Sequence, residues 1–379
     1  MSEADKRILN LWFNNIKGIG NAYRKRLLES FGSVERVFDA SADAIFKVLK
    51  RNDLVENIHL SRQLHSTYEL LKKLSDRNIW FTFPDDESYP QKLKNIYDPP
   101  DILYVKGRLN SGLNLYNSCI GIIGSRNADI YGREMARMFA RELSARGISV
   151  ISGLARGIDS MAHIGALDAD GYTLAVLGCG INVTYPAENA ELFSRIECKG
   201  AIISEYGLDV SPSAGTFPVR NRIISGMSDG ILVVEAKKKS GSLITADLAL
   251  EQGRTVYALP GRAMDINCEG TNNLIKQGAI CVTQPDDILN DLKGEDDVVM
   301  DNCKELNVSD IELQSENVKK FLAPAEKMVY SCLGLEPVYI DDIIRISGMG
   351  ITKVISTLYI MEEKKIIKQP VRGYYIIAV

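Results

Sequence analysis

The chain has 379 residues, a formal net charge of −4 at pH 7 and a hydrophobic fraction of 45%. This composition is typical of a globular protein and excludes a largely disordered chain, and the length favours two or three domains. Because the net charge is slightly acidic, a polyanionic partner would have to be attracted by a local basic surface rather than by net charge.

Cysteine and histidine usage predicts neither a disulfide framework nor a metal site. The seven cysteines include no C-x-x-C pair, and there are only three histidines. Reduced thiols in a cytosolic protein are the expected state. The amino-terminal sequence MSEADKRILN has no apolar signal core, and no apolar run reaches membrane-spanning length. We therefore expect a cytoplasmic protein with no membrane partner, no metal and no cofactor.

Residues 1–83 are predicted to form a helical domain. A Gly-Ile-Gly turn within Ile16–Ser41 is followed by apolar residues at helical spacing, and Ser33 is a candidate N-cap for the next helix. Four prolines, at 84, 90, 99 and 100, then mark a stretch (residues 84–110) that joins this domain to the next.

From Cys119 onward, short apolar runs alternate with helical stretches such as Tyr131–Arg146 and Ser242–Gln252. This alternation predicts an α/β fold, a Rossmann-like parallel sheet with helices on both faces, which we assign to residues 84–290. Ligands of such sheets bind at the carboxyl ends of the strands. The predicted strands are Ile120–Ile123, Ile148–Ile151, Thr173–Leu177, Ala201–Ile203, Ile231–Val234, Val256–Leu259 and Ala279–Val282.

The last part of the chain is predicted to be a linker and a small domain. Residues 291–316 carry nine acidic residues against two lysines and are typical of a solvated linker. Residues 317–379 follow the order of a winged helix. The predicted helices are Ala325–Leu333, Tyr339–Ser347 and Ile351–Lys364, and two short strands flank Pro370–Gly373.

Basic residues are concentrated at both ends of the predicted strand Ile231–Val234. Arg220, Asn221 and Arg222 precede it, and a run of three lysines ending at Lys239 and Ser240 follows it. Earlier turns, with Gly124, Ser125 and Arg126 after the first strand and Gly153 after the second, fall at the same sheet edge as Lys239. The segment Phe217–Arg222 is expected elsewhere along its crossover and reaches that edge only if it wraps back to it. Cations and helix N-termini there favour a phosphate backbone, and Phe217 offers a ring for base stacking. Solvated charges around structural turns are the competing interpretation.

Catalytic equipment is not evident in the pattern. The glycine spacing around Gly153 does not match a dinucleotide fingerprint, so a nicotinamide cofactor is not predicted. His163 lies within a predicted helix, where local packing is the simplest role. No spacing pairs two acidic residues for general acid–base catalysis, and there is no P-loop. We therefore predict that the protein is not an enzyme.

Several long motifs in order resemble the DNA-processing protein A family, also called DprA or Smf. They are GIIGSR, ISGLARGIDSMAHIGAL, VLGCGINVTYPAEN, ISEY, FPVRNRIISGMSDGILVVEAKKKSGSLITADLALEQGRTVYALPG and GTNNLIKQGA, and they cover about residues 120–280. The lead-in YPQKLKNIYDPPDILYVKG, Tyr89–Gly107, is also similar to that family.

The resemblance implies a non-enzymatic protein that binds and protects incoming single-stranded DNA. It also implies loading of RecA recombinase during natural transformation and recombination, and a homodimer formed through the Rossmann-like core. By motif, the implied DNA-contacting residues are Ser125, Arg126, Phe217, Arg220, Asn221 and Lys239. Some relatives carry a basic residue after the Tyr-Pro of the YPAEN motif, whereas this chain has Ala187 there.

The two end domains leave alternatives open. The amino-terminal unit is similar to a helix-hairpin-helix, or SAM-like, domain, which either holds a DNA phosphate or packs against protein. The predicted recognition helix Ile351–Lys364 carries lysines but also Glu362 and Glu363, so DNA and protein contacts are both open. A purely scaffolding role is a further alternative. Rossmann proteins that cleave nucleoside monophosphates are another, although Ile244 and Thr245 stand where those enzymes carry acids.

Overall fold

The computed structural model of the protein describes residues 3–109, 118–293, 322–333, 337–364, 366–371 and 373–377. Six helices form the amino-terminal unit, and the first five of them surround the buried Trp12, Leu27, Ile45 and Ile58. They are α1 (Glu3–Asn14), α2 (Asn21–Phe31), α3 (Val34–Asp39), α4 (Ala42–Leu49), α5 (Asn52–Ser61) and α6 (His65–Ser75). The predicted N-cap is confirmed, because the Ser33 side chain accepts a hydrogen bond from the Arg36 amide.

A nine-stranded sheet follows, with spatial order β1-β2-β6-β5-β4-β3-β7-β8-β9. Only the two pairings made by β2, with β1 and β6, are antiparallel, and the rest of the sheet is parallel. The strands are β1 (Trp80–Thr82), β2 (Leu103–Gly107), β3 (Cys119–Ile123), β4 (Ser149–Ser152), β5 (Thr173–Leu177), β6 (Ala201–Ser204), β7 (Gly230–Val233), β8 (Thr255–Ala258) and β9 (Ile280–Cys281). The parallel core is confirmed. Strand β2 lies in the predicted connecting stretch, whereas β1 lies within the residues that the sequence assigns to the helical domain, so the sheet begins before residue 84.

Helices cover both faces of this sheet, as buried parallel strands require. They are α7 (Gln91–Lys94), α8 (Ile130–Ala145), α9 (Ile158–Asp168), α10 (Ala190–Lys199), α11 (Thr216–Met227), α12 (Gly241–Glu251), α13 (Glu269–Lys276) and α14 (Pro285–Lys293). Short 3-10 helices lie at Ala187–Asn189 and Ile266–Cys268.

Alternate residues of each strand face the two helical layers. In β5, Leu174 and Val176 belong to the core cluster that includes α11 and α12. Ala175 and Leu177, on the opposite face, pack with α10 and with the amino-terminal helices α1 and α6. Helices α8 and α9 cover the same face farther along, around Phe139. The amino-terminal unit therefore shares its packing with the main core.

The sheet order reverses at β3, and this reversal positions the site. Strand β3 pairs with β4 on one side and with β7 on the other. The helices that follow β3 and β7 pack on opposite faces, since α8 contributes to one core cluster and α12 to the other. The two loops therefore diverge at the carboxyl ends of β3 and β7 and open a crevice, the usual ligand position in such sheets.

A small carboxy-terminal unit consists of α15 (Pro324–Tyr330), α16 (Ile340–Ser347), α17 (Ile351–Glu363) and the strands β10 (Val338–Tyr339), β11 (Ile367–Val371) and β12 (Tyr374–Ile377). Its sheet has the order β10-β12-β11. Tyr339 pairs with Tyr374 in this sheet, so the predicted second helix begins one residue later than expected. On α17, Ile351, Ile355 and Tyr359 are exposed.

The predicted acidic linker lies outside the described residues except for residues 291–293, which end α14. Within the described parts of the chain, no single helix has both the length and the apolarity to cross a bilayer; α16 and α17 meet that test only jointly, across a bend of 113°.

Candidate nucleic-acid interface

A cleft with a volume of about 500 Å³ opens at the carboxyl ends of β3 and β7. Segments that are far apart in sequence line it: the turn after β3, the loop after β4, the first three turns of α11 and the loop between β7 and α12. Among the lining residues are Gly124, Ser125, Arg126, Asn127, Phe217, Arg220, Asn221, Lys237, Lys239 and Ser240. The structure thus brings nearly all of the sequence-predicted site residues to one place.

The turn after β3 is held by its own backbone. The Ser125 amide donates to the carbonyl of Glu235 over 2.8 Å, and the Ser125 carbonyl accepts from the Ile158 amide over 3.2 Å. A Cβ at Gly124 would lie 2.6 Å from the Ile158 side chain and 2.8 Å from the Glu235 carbonyl oxygen. The absence of a side chain at Gly124 therefore allows this turn to pack closely against Ile158 and the backbone of Glu235. Ser125 is 8% exposed, and its hydroxyl accepts from the Asn127 amide.

Arg126 is exposed in this turn, and its guanidinium stacks on Phe217. Its guanidinium carbon lies 4.9 Å from the centroid of the Phe217 ring. The ring also lies 5.7 Å from that of Tyr185, with 32° between the two planes. A Cβ at Gly178 would be 2.7 Å from the Phe217 ring, so this glycine makes room for it. The cleft thus presents a cation and an aromatic ring as one unit.

Arg220 forms part of the floor of the cleft and is only 4% exposed. Its guanidinium donates to the carbonyl of Gly153 over 2.7 Å and to the carbonyl of Val176. A Cβ at Gly153 would collide with this guanidinium at 2.6 Å, which explains the glycine. Burial lowers the pKa of Arg220, although the nearby Asp159 carboxylate opposes the shift. The contacts of Arg220 with Gly153 and Val176 therefore have a structural role, because they stabilise the floor of the cleft.

Asp159 is the acidic residue that lines this cleft, and it is buried. Its carboxylate accepts from the amides of Gly153 and Ala155, over 3.2 and 3.4 Å. Burial raises its pKa, while the positive charge of Arg220 opposes that effect. His163, in the same helix, is fully buried, and burial lowers its pKa to about 3. Its Nδ1 lies 2.7 Å from the Thr173 hydroxyl, a local packing role.

Arg222 points away from the cleft. Its guanidinium bonds to Glu205 over 2.8 Å and to Asp98 over 3.2 Å. The adjacent Asn221 stays in the cleft, where its side-chain oxygen accepts from the Arg220 Nε over 3.3 Å. The motif therefore separates into Arg220 and Asn221 at the cleft and Arg222, which projects from the other side of α11 and bonds to Glu205 and Asp98.

The opposite wall combines lysines with the N-terminus of α12. Lys237 and Lys239 are exposed and line the cleft, and neither makes an ion pair within the described residues. Lys238 instead lies 3.6 Å from the Glu269 carboxylate. Ser240 caps α12, whose first residues Gly241 and Ser242 also line the cleft. Positive charge and the helix dipole thus favour an anion at this wall.

The hairpin between α1 and α2 packs on the core. Gly18 there has φ of 82°, a conformation that favours glycine. At the start of α2, Arg24 pairs with Asp101 over 3.0 Å, and the Asn21 amide group lies 3.5 Å from the Glu205 carboxylate. These contacts support the packing interpretation of the amino-terminal unit over phosphate binding at this hairpin.

The model of the DNA recombination-mediator protein A family matches residues 80–293, which include all the segments that line the cleft. The chain belongs to this family. Protein Smf of Synechocystis sp. is 31% identical over 380 residues, 95% of this chain and 96% of that protein. Protein Smf of Escherichia coli is 49% identical over 210 residues, and the match spans about half of each chain, 55%. The family resemblance of the sequence motifs is confirmed.

Two solved structures of DNA processing protein A share the fold of this family member. The protein from Streptococcus pneumoniae matches with a TM-score of 0.64 and 32% identity, over 76% of this chain and 98% of that one. The protein from Helicobacter pylori, solved to explain its single-stranded DNA binding mode, matches with a TM-score of 0.51 and 30% identity, over 56% and 95%.

Three residues at or beside the cleft were not predicted as site residues from the sequence. Lys237 and Asn127 line the cleft beside the predicted Lys239 and Arg126. Tyr185 contacts Phe217 although the two are 32 positions apart, and only the Tyr-Pro dipeptide hints at a shaped turn. Proximity to a predicted site residue identifies the first two, whereas the tyrosine requires the fold.

A buried carboxyl group supports the base of the turn. Glu235 follows β7, is 2% exposed, and accepts from the Asp129 amide over 3.0 Å. Burial raises its pKa to about 7 from the usual 4.5, and the Asp129 charge adds to this shift. Since the folded pKa exceeds the unfolded one, the folded form binds more protons between about pH 4.5 and 7. Stability from this group is therefore full below pH 4.5 and falls as pH rises through 7.

We expect Glu235→Gln to stabilise the protein at pH 8 by about 1–3 kcal/mol and to have little effect at pH 5, because glutamine resembles the protonated carboxyl. Thermal unfolding at the two pH values measures this difference. Glu251→Gln, an exposed substitution at the end of α12, is the matched control. An equal effect of Glu235→Gln at both pH values would contradict the expectation.

Proposed function

We propose that the protein binds single-stranded DNA in the cleft, without catalysis, and protects incoming DNA. The carrying observation is the convergence of Arg126, Lys239, Phe217 and the N-terminus of α12 on one crevice. Exposed cations that are not neutralised by ion pairs bind phosphates with release of counterions. An aromatic ring at the same place stacks on a base whatever its identity, so little sequence preference follows.

Geometry favours a single strand over a duplex. Phe217 lines the wall of a cleft, and a base reaches a ring there only when it is unstacked and unpaired. The matched Helicobacter pylori protein has a single-stranded DNA binding mode, which supports the same ligand class here. The cleft's acidic residue, Asp159, is buried and occupied by backbone amides. Ile244 and Thr245 line the cleft as well, which offers no general base for nucleotide cleavage.

Arg126→Ala and Lys239→Ala are each expected to weaken single-strand binding and to lower the slope of log affinity against log salt by about 0.7, because each removes one phosphate contact. Fluorescence anisotropy with a labelled oligonucleotide across ionic strengths measures both effects. Asp170→Asn, an exposed substitution just before the amino end of β5 and therefore away from the cleft, serves as the control. Unchanged affinity in both alanine variants would refute the site.

We propose further that the DNA-bound protein loads RecA recombinase during natural transformation and recombination. Membership of a family described as DNA recombination mediators supports this role. RecA-driven strand exchange on DNA coated with single-strand-binding protein is expected to start sooner when this protein is added. Arg126→Ala should lose the effect, because delivery requires a held strand. No acceleration at any protein concentration would exclude mediation.

A homodimer through the Rossmann-like core is the third part of the proposal. Strand β9 is at the edge of the sheet, and Ile280 and Cys281 are exposed on it. An exposed edge with apolar side chains pairs readily with a second copy.

Ile280→Asp is expected to shift the protein from dimer to monomer, since a charge at the edge opposes pairing. Sedimentation equilibrium measures the change. Leu60→Asp, an equally drastic change at an exposed position of α5, is the control. A dimer that survives Ile280→Asp, or a wild-type monomer, would place the contact elsewhere or remove it.

A further inference from the structure

A second cavity of about 250 Å³ adjoins the cleft. It shares Arg126, Phe217 and Arg220 with the cleft and adds Arg156, Tyr185 and Pro186. The two spaces therefore have Phe217 and Arg126 as common walls. A chain molecule that occupies the cleft beside Phe217 therefore lies next to this second cavity.

Tyr185 gives this cavity an exposed aromatic side chain. The residue is 42% exposed, and its ring is tilted by only 32° from that of Phe217 at 5.7 Å. Its segment is anchored, because the Asn189 amide group donates to the Leu154 carbonyl and to the Ser160 hydroxyl, each over 2.9 Å. A ring held in place yet open to solvent is suited to stacking on a flat base.

Arg156 supplies a cation at the same cavity, and its guanidinium is paired with the carboxylate of Glu188. The guanidinium makes two parallel hydrogen bonds to the carboxylate, both of 2.8 Å. The side chains are 58% and 54% exposed, so the pair contributes little to stability. A DNA phosphate offers the same two-oxygen geometry, and arginine binds it in the same bidentate manner. The carboxylate is therefore in direct competition with a phosphate.

We propose that the second cavity is a subsite for the nucleotide next to the one in the cleft. The base of this second nucleotide stacks on Tyr185, and its phosphate binds Arg156 after displacing Glu188. This subsite rests on the proposed function, because it requires a single strand in the cleft. Glu188 acts as an internal competitor that weakens binding, so its removal strengthens binding.

The test uses the full chain and a labelled oligothymidylate of about ten nucleotides, within the range that single-strand binding folds cover, with anisotropy at several salt concentrations. Tyr185→Ala is expected to weaken binding roughly tenfold, while Tyr185→Phe, which keeps the ring, stays near wild type. Glu188→Gln is expected to tighten binding by about two- to fivefold. Tighter binding cannot result from a folding defect.

A matched control separates this effect from a general change of charge. Asp170→Asn also removes one negative charge from an exposed ion pair, with Lys199 over 2.6 Å, but at the amino end of β5. It should leave affinity near wild type. If Glu188→Gln behaves like Asp170→Asn, or Tyr185→Phe is as weak as Tyr185→Ala, the subsite is wrong. If Arg126→Ala still weakens binding in that case, the proposed function stands; if it does not, both fall.

Discussion

A buried guanidinium joins the helix that crosses the sheet to the ends of two strands. Arg220, in α11, donates to the carbonyl of Gly153 after β4 and to that of Val176 in β5, with Asp159 as its nearby countercharge. Charge-assisted hydrogen bonds in a buried place are strong, and the loss of one partner is costly. Phe217 is one turn earlier in α11, so this contact also sets where the ring lies. The shape of the cleft depends on it.

Buried and exposed cations differ in their partners, and the difference follows from solvation. A buried arginine must be matched by acceptors, so Arg220 and Arg222 are occupied by carbonyls and carboxylates. Exposed cations keep their hydration and are available for exchange with phosphate. Arg126, Lys237 and Lys239 are of this second kind. A slightly acidic chain thus carries a local positive surface without a basic composition.

Helix α11 also connects the cleft to the amino-terminal unit. On one side it carries Arg220, and on the other Arg222 bonds to Glu205, whose carboxylate lies 3.5 Å from the Asn21 side chain of α2. The helical unit therefore contacts the back of the element whose front forms the cleft. The amino-terminal unit, whose sequence resembles a helix-hairpin-helix domain, therefore packs against the core through this hairpin.

The order of strands and helices, the parallel core and the rim on which the site lies could be predicted from the amino-acid sequence alone. Buried parallel strands appear as short apolar runs, and their carboxyl ends must share one edge. The strands β1 and β2 could not be predicted, because a short antiparallel addition at a sheet edge has no distinct pattern. The same limit applies to Tyr185, which reaches Phe217 only through the tertiary fold.

Sequence alone determined that Arg220 and Arg222 flank an asparagine near a strand, and it gave both the same expected role. Tertiary structure decided that Arg220 faces the cleft and Arg222 the opposite side. The physical reason is helical geometry: residues two apart are about 200° apart around the axis, so they point in nearly opposite directions once the region is helical. Which direction meets the cleft is set by packing of α11 on the sheet, and no local pattern contains that information.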